Sequence, residues 1–215
     1  MKEIESDEES VKKLSKDMKI IIVGDMSTGK TSIIQQYLNN KLSEDYQATI
    51  VPEFHKKIII SKDIKFTIQF WDLPGQDRNM TMTNVFCKDT QGIILCCDIN
   101  SEKTIENIKN WYNSIGNQQE INNIPKIILA NKCDLLKDEN KKNETLKTIK
   151  DISDEIGCIN YFSTSALKGD NIKESIDYLI NEMIKLAEEE DIDKYVNDSV
   201  YLKSDKSTSN SGCNC

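Results

Sequence analysis

The chain has 215 residues, of which 38% are hydrophobic and 30% charged, with a formal net charge of −8. That length suits one domain of ordinary size plus a tail, and the acidic balance argues against nucleic acid as a partner, because the phosphates would be repelled. No apolar run reaches the ~20 residues of a membrane-spanning helix and no secretory leader pattern is visible, so the seven cysteines are read as reduced thiols.

Residues 1–17 are charged and aperiodic and are expected to form a flexible arm. The run Ile20-Ile21-Ile22-Val23 predicts a buried strand over 19–23. Gly24-Asp25-Met26-Ser27-Thr28-Gly29-Lys30-Thr31 follows with the spacing GxxxxGK[ST], and Ser32 continues into a helix predicted over 30–39. A glycine turn with an incidental lysine would not need a strand before it and a helix after it. Successive N–H groups of such a loop form an anion nest, with the positive end of the helix dipole directed into it. Lys30 would reach the β- and γ-phosphates, and the Thr31 hydroxyl would ligate Mg²⁺. A nucleoside polyphosphate is the expected ligand.

Strands are predicted over 54–61 and 64–71, with Lys62-Asp63 between them as a hairpin, so one edge strand should be antiparallel. Asp72-Leu73-Pro74-Gly75-Gln76 closes the second strand. Asp72 can hold Mg²⁺ there, the Gly75 N–H can meet the γ-phosphate, and Gln76 can orient a hydrolytic water. A Pro-Gly surface turn accounts for Pro74-Gly75 taken alone, but not for the whole set after a strand. A helix over 80–88, a strand over 92–98, a helix over 101–115 and a strand over 126–130 follow. Cys96 and Cys97 fall inside an apolar strand and are read as small core hydrophobes, as are Cys87, Cys133 and Cys158.

Asn131-Lys132-Cys133-Asp134 comes next. An Asp carboxylate can accept both N1–H and the N2 amino group of guanine, whereas adenine would leave it unsatisfied at a cost on the order of 1–3 kcal/mol or more. Asn131 would tie this loop to the phosphate loop, and the Lys132 stem would lie over the base. A charged loop explains any one of these residues and explains the set poorly. A helix over 142–157 and a strand over 159–162 lead to Ser163-Thr164-Ser165-Ala166, where the Ala166 N–H would meet guanine O6. The last helix, over 172–187, carries Ile172, Ile176, Leu179, Ile180 and Met183 at helical spacing. From Glu188 the chain is acidic, then rich in Ser, Asn and Lys, and is expected to be disordered to Cys215. The alternation predicts an α/β, doubly wound, six-stranded sheet, mostly parallel with one antiparallel edge strand and helices on both faces. The ligand should sit at the carboxyl ends of the strands.

Together these motifs resemble the Rab family of small GTPases within the Ras superfamily, over roughly residues 18–187, and the resemblance implies the P-loop GTPase fold. Trp71 before Asp72, Phe54, Phe86 and the terminal Cys213-Asn214-Cys215 carry the Rab character. Asn79-Met80-Thr81 after Gly75-Gln76, Leu129-Ala130 before the Asn131–Asp134 box, and Asn171-Ile172-Lys173-Glu174 are similar to the subgroup linked to lysosome-related and phagosomal organelles. The resemblance implies a G domain over 18–187 and a hypervariable tail over 188–215. It places Thr49 on Mg²⁺ and the γ-phosphate, with Tyr46 closing over the phosphates from the same loop. Leu42 and Leu167 stand at base-contacting positions, the latter after Ser165-Ala166. Phe54, Trp71 and Phe86 match an effector-binding aromatic triad, for which plain core packing is the alternative. Cys213 and Cys215 would each take a geranylgeranyl group, because one lipid chain anchors only marginally at ~0.8 kcal/mol per buried CH₂.

The implied function is a monomeric GTP/GDP switch that recruits effector proteins to a membrane in vesicle traffic and hydrolyses GTP slowly. An exchange factor, a GTPase-activating protein, Rab escort protein and GDP-dissociation inhibitor are the implied partners. The cytoplasmic face of an endosomal, phagosomal or lysosome-related membrane, in exchange with cytosol, is the implied location. Several residues depart from the family pattern: Met26 and Ser27 replace small residues, Val51-Pro52 stands for Gly-Val, Pro74 for Ala, Leu42 for an aromatic and Leu167 for Lys. These departures predict weaker base retention and slow turnover. They also leave a second reading, a hydrolysis-impaired GTP-binding scaffold.

Overall fold

The computed structural model describes residues 15–41, 49–62, 64–76, 85–116 and 121–204, with side chains to 189. Six strands form one sheet: β1 (Ser15–Val23), β2 (Glu53–Ser61), β3 (Ile64–Asp72), β4 (Gly92–Asp98), β5 (Lys126–Asn131) and β6 (Asn160–Ser163), in the order β2-β3-β1-β4-β5-β6. Only the β2–β3 hairpin is antiparallel, so the expected edge strand is β2. The flanking helices are α1 (Lys30–Asn39), α2 (Glu102–Glu106), α3 (Ile108–Ser114), α4 (Glu139–Glu155) and α5 (Ile172–Ser204).

Both faces of the sheet are covered at its centre, which is why β1, β4 and β5 are apolar at consecutive positions. Ile20 and Ile22 of β1 enter one core with α1 and α5, while Ile21 and Val23 enter the other with α2, α3 and α4. On β4, Ile94 and Cys96 serve the first core, and Ile93, Leu95 and Cys97 the second. Complete burial of each such isoleucine contributes roughly 1.5–3 kcal/mol.

The structure moves several boundaries. β1 starts at Ser15, so the end of the expected arm pairs with β3, Ser15 opposite Lys65. The helix predicted over 101–115 is broken at Asn107 into α2 and α3. α4 starts earlier than predicted because Asp138 caps it, its carboxylate accepting from Asn140 and Lys141 N–H. α5 runs past residue 187 to Ser204, against the disorder expected from Glu188. No glycine or proline interrupts that stretch. Of the helix predicted over 80–88, residues 85–87 are described and helical. Leu42, Tyr46, Asn79, Met80, Thr81, Cys213 and Cys215 lie outside the described residues.

β1 is central, with β3 on one side and β4 on the other, and the loops after β1, β3, β5 and β6 open at the same edge of the sheet. In a doubly wound sheet this edge is where ligands bind.

Candidate functional site

The loop after β1 turns back on itself through Gly24, Ser27 and Gly29, all with positive φ. At Gly29 (φ +97°) a Cβ would lie 2.3 Å from Asn131 Nδ2, so the turn and the close approach both require glycine. Thr28 Oγ1 donates to Asp25 O at 2.9 Å inside the loop. Lys30 is almost fully buried and its Nζ donates to Gly24 O and Asp25 O, both at 2.9 Å, across the mouth of the loop. Desolvation holds its pKa below the usual lysine range. Ser32 is half-buried on the first turn of α1, whereas Met26 and Ser27 are exposed at the loop tip.

Asp72 ends β3 beside this loop and is fully buried. Thr31 Oγ1 donates to Asp72 Oδ2 at 2.5 Å and lies 2.9 Å from Thr49 Oγ1, whose own distance to Asp72 Oδ2 is 3.4 Å. Burial drives the Asp72 pKa upward, opposed by these hydroxyls and by Lys30. Gly75 abuts the loop so closely that a Cβ would stand 2.5 Å from Lys30 Nζ and 2.6 Å from Met26 N. Gln76 follows, half-buried, next to the described end of this segment.

Asn131 joins three loops. Its Nδ2 donates to Thr28 O at 2.9 Å, while its Oδ1 accepts from Ala166 N–H at 3.0 Å and from Thr164 Oγ1 at 3.4 Å. The Ala166 N–H expected to face the base is thus given to Asn131. Asp134 accepts from Ser165 Oγ at 2.6 Å, and Ser165 Oγ also accepts from Lys168 N–H at 3.1 Å, which fixes one carboxylate oxygen. Lys132 Nζ is 2.9 Å from Asp98 Oδ2, pinning the end of its stem. Leu167 is 68% exposed on the rim.

The loops after β1, β3, β5 and β6 thus bring together the loop closed over Lys30, two hydroxyls beside a buried carboxylate, and the Asp134 carboxylate oriented by Ser165. Residues 19–185 match the family model described as the Ras family. The chain is 33% identical over 201 residues to Ras-related protein RABG3f of Arabidopsis thaliana, covering 92% of this chain and 96% of that protein. It is 32% identical to Ras-related protein Rab7 of Pisum sativum with the same coverage. It is 34% identical to Ras-related protein Rab-7a of Dictyostelium discoideum over 80% of this chain and 84% of that one. The chain belongs to the Rab family of small GTPases.

As a Rab it is a GTP-binding switch of vesicle traffic that hydrolyses GTP, and it binds GTP and GDP. The aromatic triad is assembled: Phe54 stacks on Trp71 with centroids 5.5 Å apart, and Phe86 tilts against Trp71 at 6.5 Å. Trp71 and Phe86 also pack on the second core, whereas Phe54 is 54% exposed. No helix of the described residues is long and apolar enough to cross a membrane.

Sequence reasoning missed Trp111 and Asn107. The Trp111 indole N–H donates to Asp25 Oδ1 at 2.6 Å and Asn107 Nδ2 donates to the same oxygen at 2.5 Å, fastening the phosphate loop to α3 from behind. A Trp at the core-facing position of an amphipathic helix was the available signal, since a buried indole N–H needs an acceptor.

Proposed function

We propose that the cleft holds GTP with Lys30 and the loop N–H groups of residues 25–31 on the phosphates, Ser32 completing the helix end, and Asp134 on the guanine edge. Asn131 joins the two halves of the site and Lys132 flanks the base, with Leu42, Ser165, Ala166 and Leu167 around it. Asn131, bonded at once to the phosphate loop and to the loop after β6, is the observation that carries this reading. Because the Ala166 N–H is shared with Asn131, its share in base recognition is smaller than Asp134's.

Thr31, Thr49 and Asp72 would hold Mg²⁺. The fit is supported by Asp72 Oδ1, which is buried and has no hydrogen-bond partner among the described residues, beside two hydroxyls. A hard cation favours such oxygen donors. Bound there, Mg²⁺ supplies positive charge to the β- and γ-phosphate oxygens.

Thr49, Tyr46 and Gly75 would sense the γ-phosphate, and its loss would release both loops that carry them. Gln76 would orient the attacking water, and an activator would supply the missing arginine, worth roughly 10³–10⁵ in rate. Met26 at the loop tip and Pro74 beside Gly75 slow this cycle, and Leu42 weakens base retention. Phe54, Trp71 and Phe86 form the effector surface.

Cys213 and Cys215 take two geranylgeranyl groups, loaded with Rab escort protein and extracted by GDP-dissociation inhibitor. The membrane is endosomal, phagosomal or lysosome-related, as expected of a Rab7-like member. The test is single-turnover hydrolysis with Gln76→Ala. The variant should bind GTP like the parent and turn it over at least tenfold more slowly with an activator present. Equal turnover would remove Gln76 from the reaction.

A further inference from the structure

Lys132 is held in a conformation that a lysine does not favour. Its φ of +65° and ψ of 34° lie in the left-handed region, which crowds Cβ against the following carbonyl and is visited readily only by glycine, asparagine and aspartate. Here the chain leaves β5 and enters the turn that carries Asp134.

Two side chains from the end of the neighbouring strand grip this residue. β4 runs parallel to β5, with Asp98 opposite Asn131. The Asp98 carboxylate divides its two oxygens. Oδ2 lies 2.9 Å from Lys132 Nζ, while Oδ1 accepts from the N–H and from Nδ2 of Asn100, both at 3.0 Å. Asn100 Nδ2 also donates to Lys132 O at 3.1 Å. Lys132 is therefore held at its backbone and at its ammonium. Behind them the Asp98 N–H donates to Thr104 Oγ1 at 3.0 Å, which fixes the strand end that presents the carboxylate.

The pair is largely withdrawn from water, the Asp98 side chain being 18% exposed and that of Lys132 31%. Burial alone would raise the Asp98 carboxyl, but the bonds from Lys132 and Asn100 outweigh it and hold the group below the usual carboxylate range. A partly buried pair is screened by salt much less than an exposed one. A lysine stem has many rotamers, and ordering them as a ligand arrives subtracts from affinity. A stem tied at its far end has lost that freedom beforehand.

We propose that Asp98 is a positioning residue for the purine base: it ties down the Lys132 ammonium, so that the stem is already set for the base when the nucleotide enters, and it thereby slows nucleotide release. The inference rests on the reading that Lys132 flanks the base. Asp98 itself does not touch the nucleotide. The loop of residues 98–101 becomes part of the base-binding end of the cleft, although no motif in it announces that role.

The test is release of fluorescent GDP from the full chain in excess magnesium, followed by stopped flow. The proteins compared are the parent, Asp98→Asn, Asp98→Glu, Lys132→Ala and the Asp98→Asn/Lys132→Ala double variant. Asp98→Asn keeps an acceptor for Asn100 and turns an amide toward the ammonium, so release should be roughly fivefold faster or more. Asp98→Glu keeps the charge and should release GDP more slowly than Asp98→Asn. Lys132→Ala should release it faster than the parent, and adding Asp98→Asn should accelerate that rate less than about twofold, because the carboxylate has nothing left to hold. The same acceleration in both backgrounds is what a merely structural carboxylate would give, and it would overturn the proposal. So would parent-like release from Asp98→Asn, or equal rates for Asp98→Asn and Asp98→Glu. Parent-like release from Lys132→Ala would take Lys132 away from the base, and would overturn that reading together with the inference built on it.

Discussion

Trp111→Phe probes how α3 holds the phosphate loop. The substitution keeps an aromatic ring in a site only 1% exposed and removes the indole N–H, leaving Asp25 Oδ1 with its bond from Asn107. A hydrogen bond to a charged acceptor contributes about 1.5–3 kcal/mol, and the smaller ring adds about 1 kcal/mol for the space left behind. The total destabilisation should be roughly 2.5–4 kcal/mol. In an Asp25→Ala background only the packing part remains, so the double-mutant cycle should show a coupling of at least ~1 kcal/mol. Urea unfolding at fixed excess GDP and magnesium measures the cycle, and displacement of fluorescent GDP should show faster release in each single variant. A coupling below ~0.5 kcal/mol would refute the idea that the indole holds the loop through Asp25.

Ser165→Ala removes the 2.6 Å bond that orients Asp134 and should speed GDP release roughly five- to thirtyfold, for a loss of about 1–2 kcal/mol; stopped-flow release at or below the parent rate would contradict this. Chelating magnesium with EDTA should accelerate GDP release at least tenfold in the parent and much less in Asp72→Ala, whose release should already be fast. Burial pushes the thiols of Cys87 and Cys158 up to about 12. Their thiolate is therefore scarce in the folded protein at pH 8, and becomes abundant only as pH rises through that value. Iodoacetamide should modify both far more slowly than the same residues in urea, as site-resolved mass spectrometry will show.

The sheet and the nucleotide motifs were legible because both are local. A continuous apolar run marks a strand covered on two faces, and the phosphate loop and the Asn131–Asp134 box each sit directly behind such a run, while the Asp72–Gln76 segment follows the alternating strand β3. What escaped sequence reading depends on distance. The bond from Asn107 to a carboxylate 82 positions earlier in the chain is encoded by no local propensity. The bond from the Ala166 N–H to Asn131, which comes from another strand, is likewise not encoded by the tetrapeptide that holds Ala166. Helix boundaries slipped where caps decide them, as at Asp138, or where an acidic composition was read as disorder, as beyond Glu188. Phe54, Trp71 and Phe86 were found as residues, while their stacking became visible only once β2 and β3 were paired in register.

The central claim is that Asp134, held by Ser165, accepts from a guanine edge while the loop around Lys30 grips the phosphates. Titration calorimetry of the magnesium-loaded, nucleotide-stripped protein with GDP and with ADP tests it directly. GDP should bind about a hundredfold or more tightly, the equivalent of roughly 3 kcal/mol, and Asp134→Ala should erase most of that gap. Equal affinities for the two nucleotides would contradict the account.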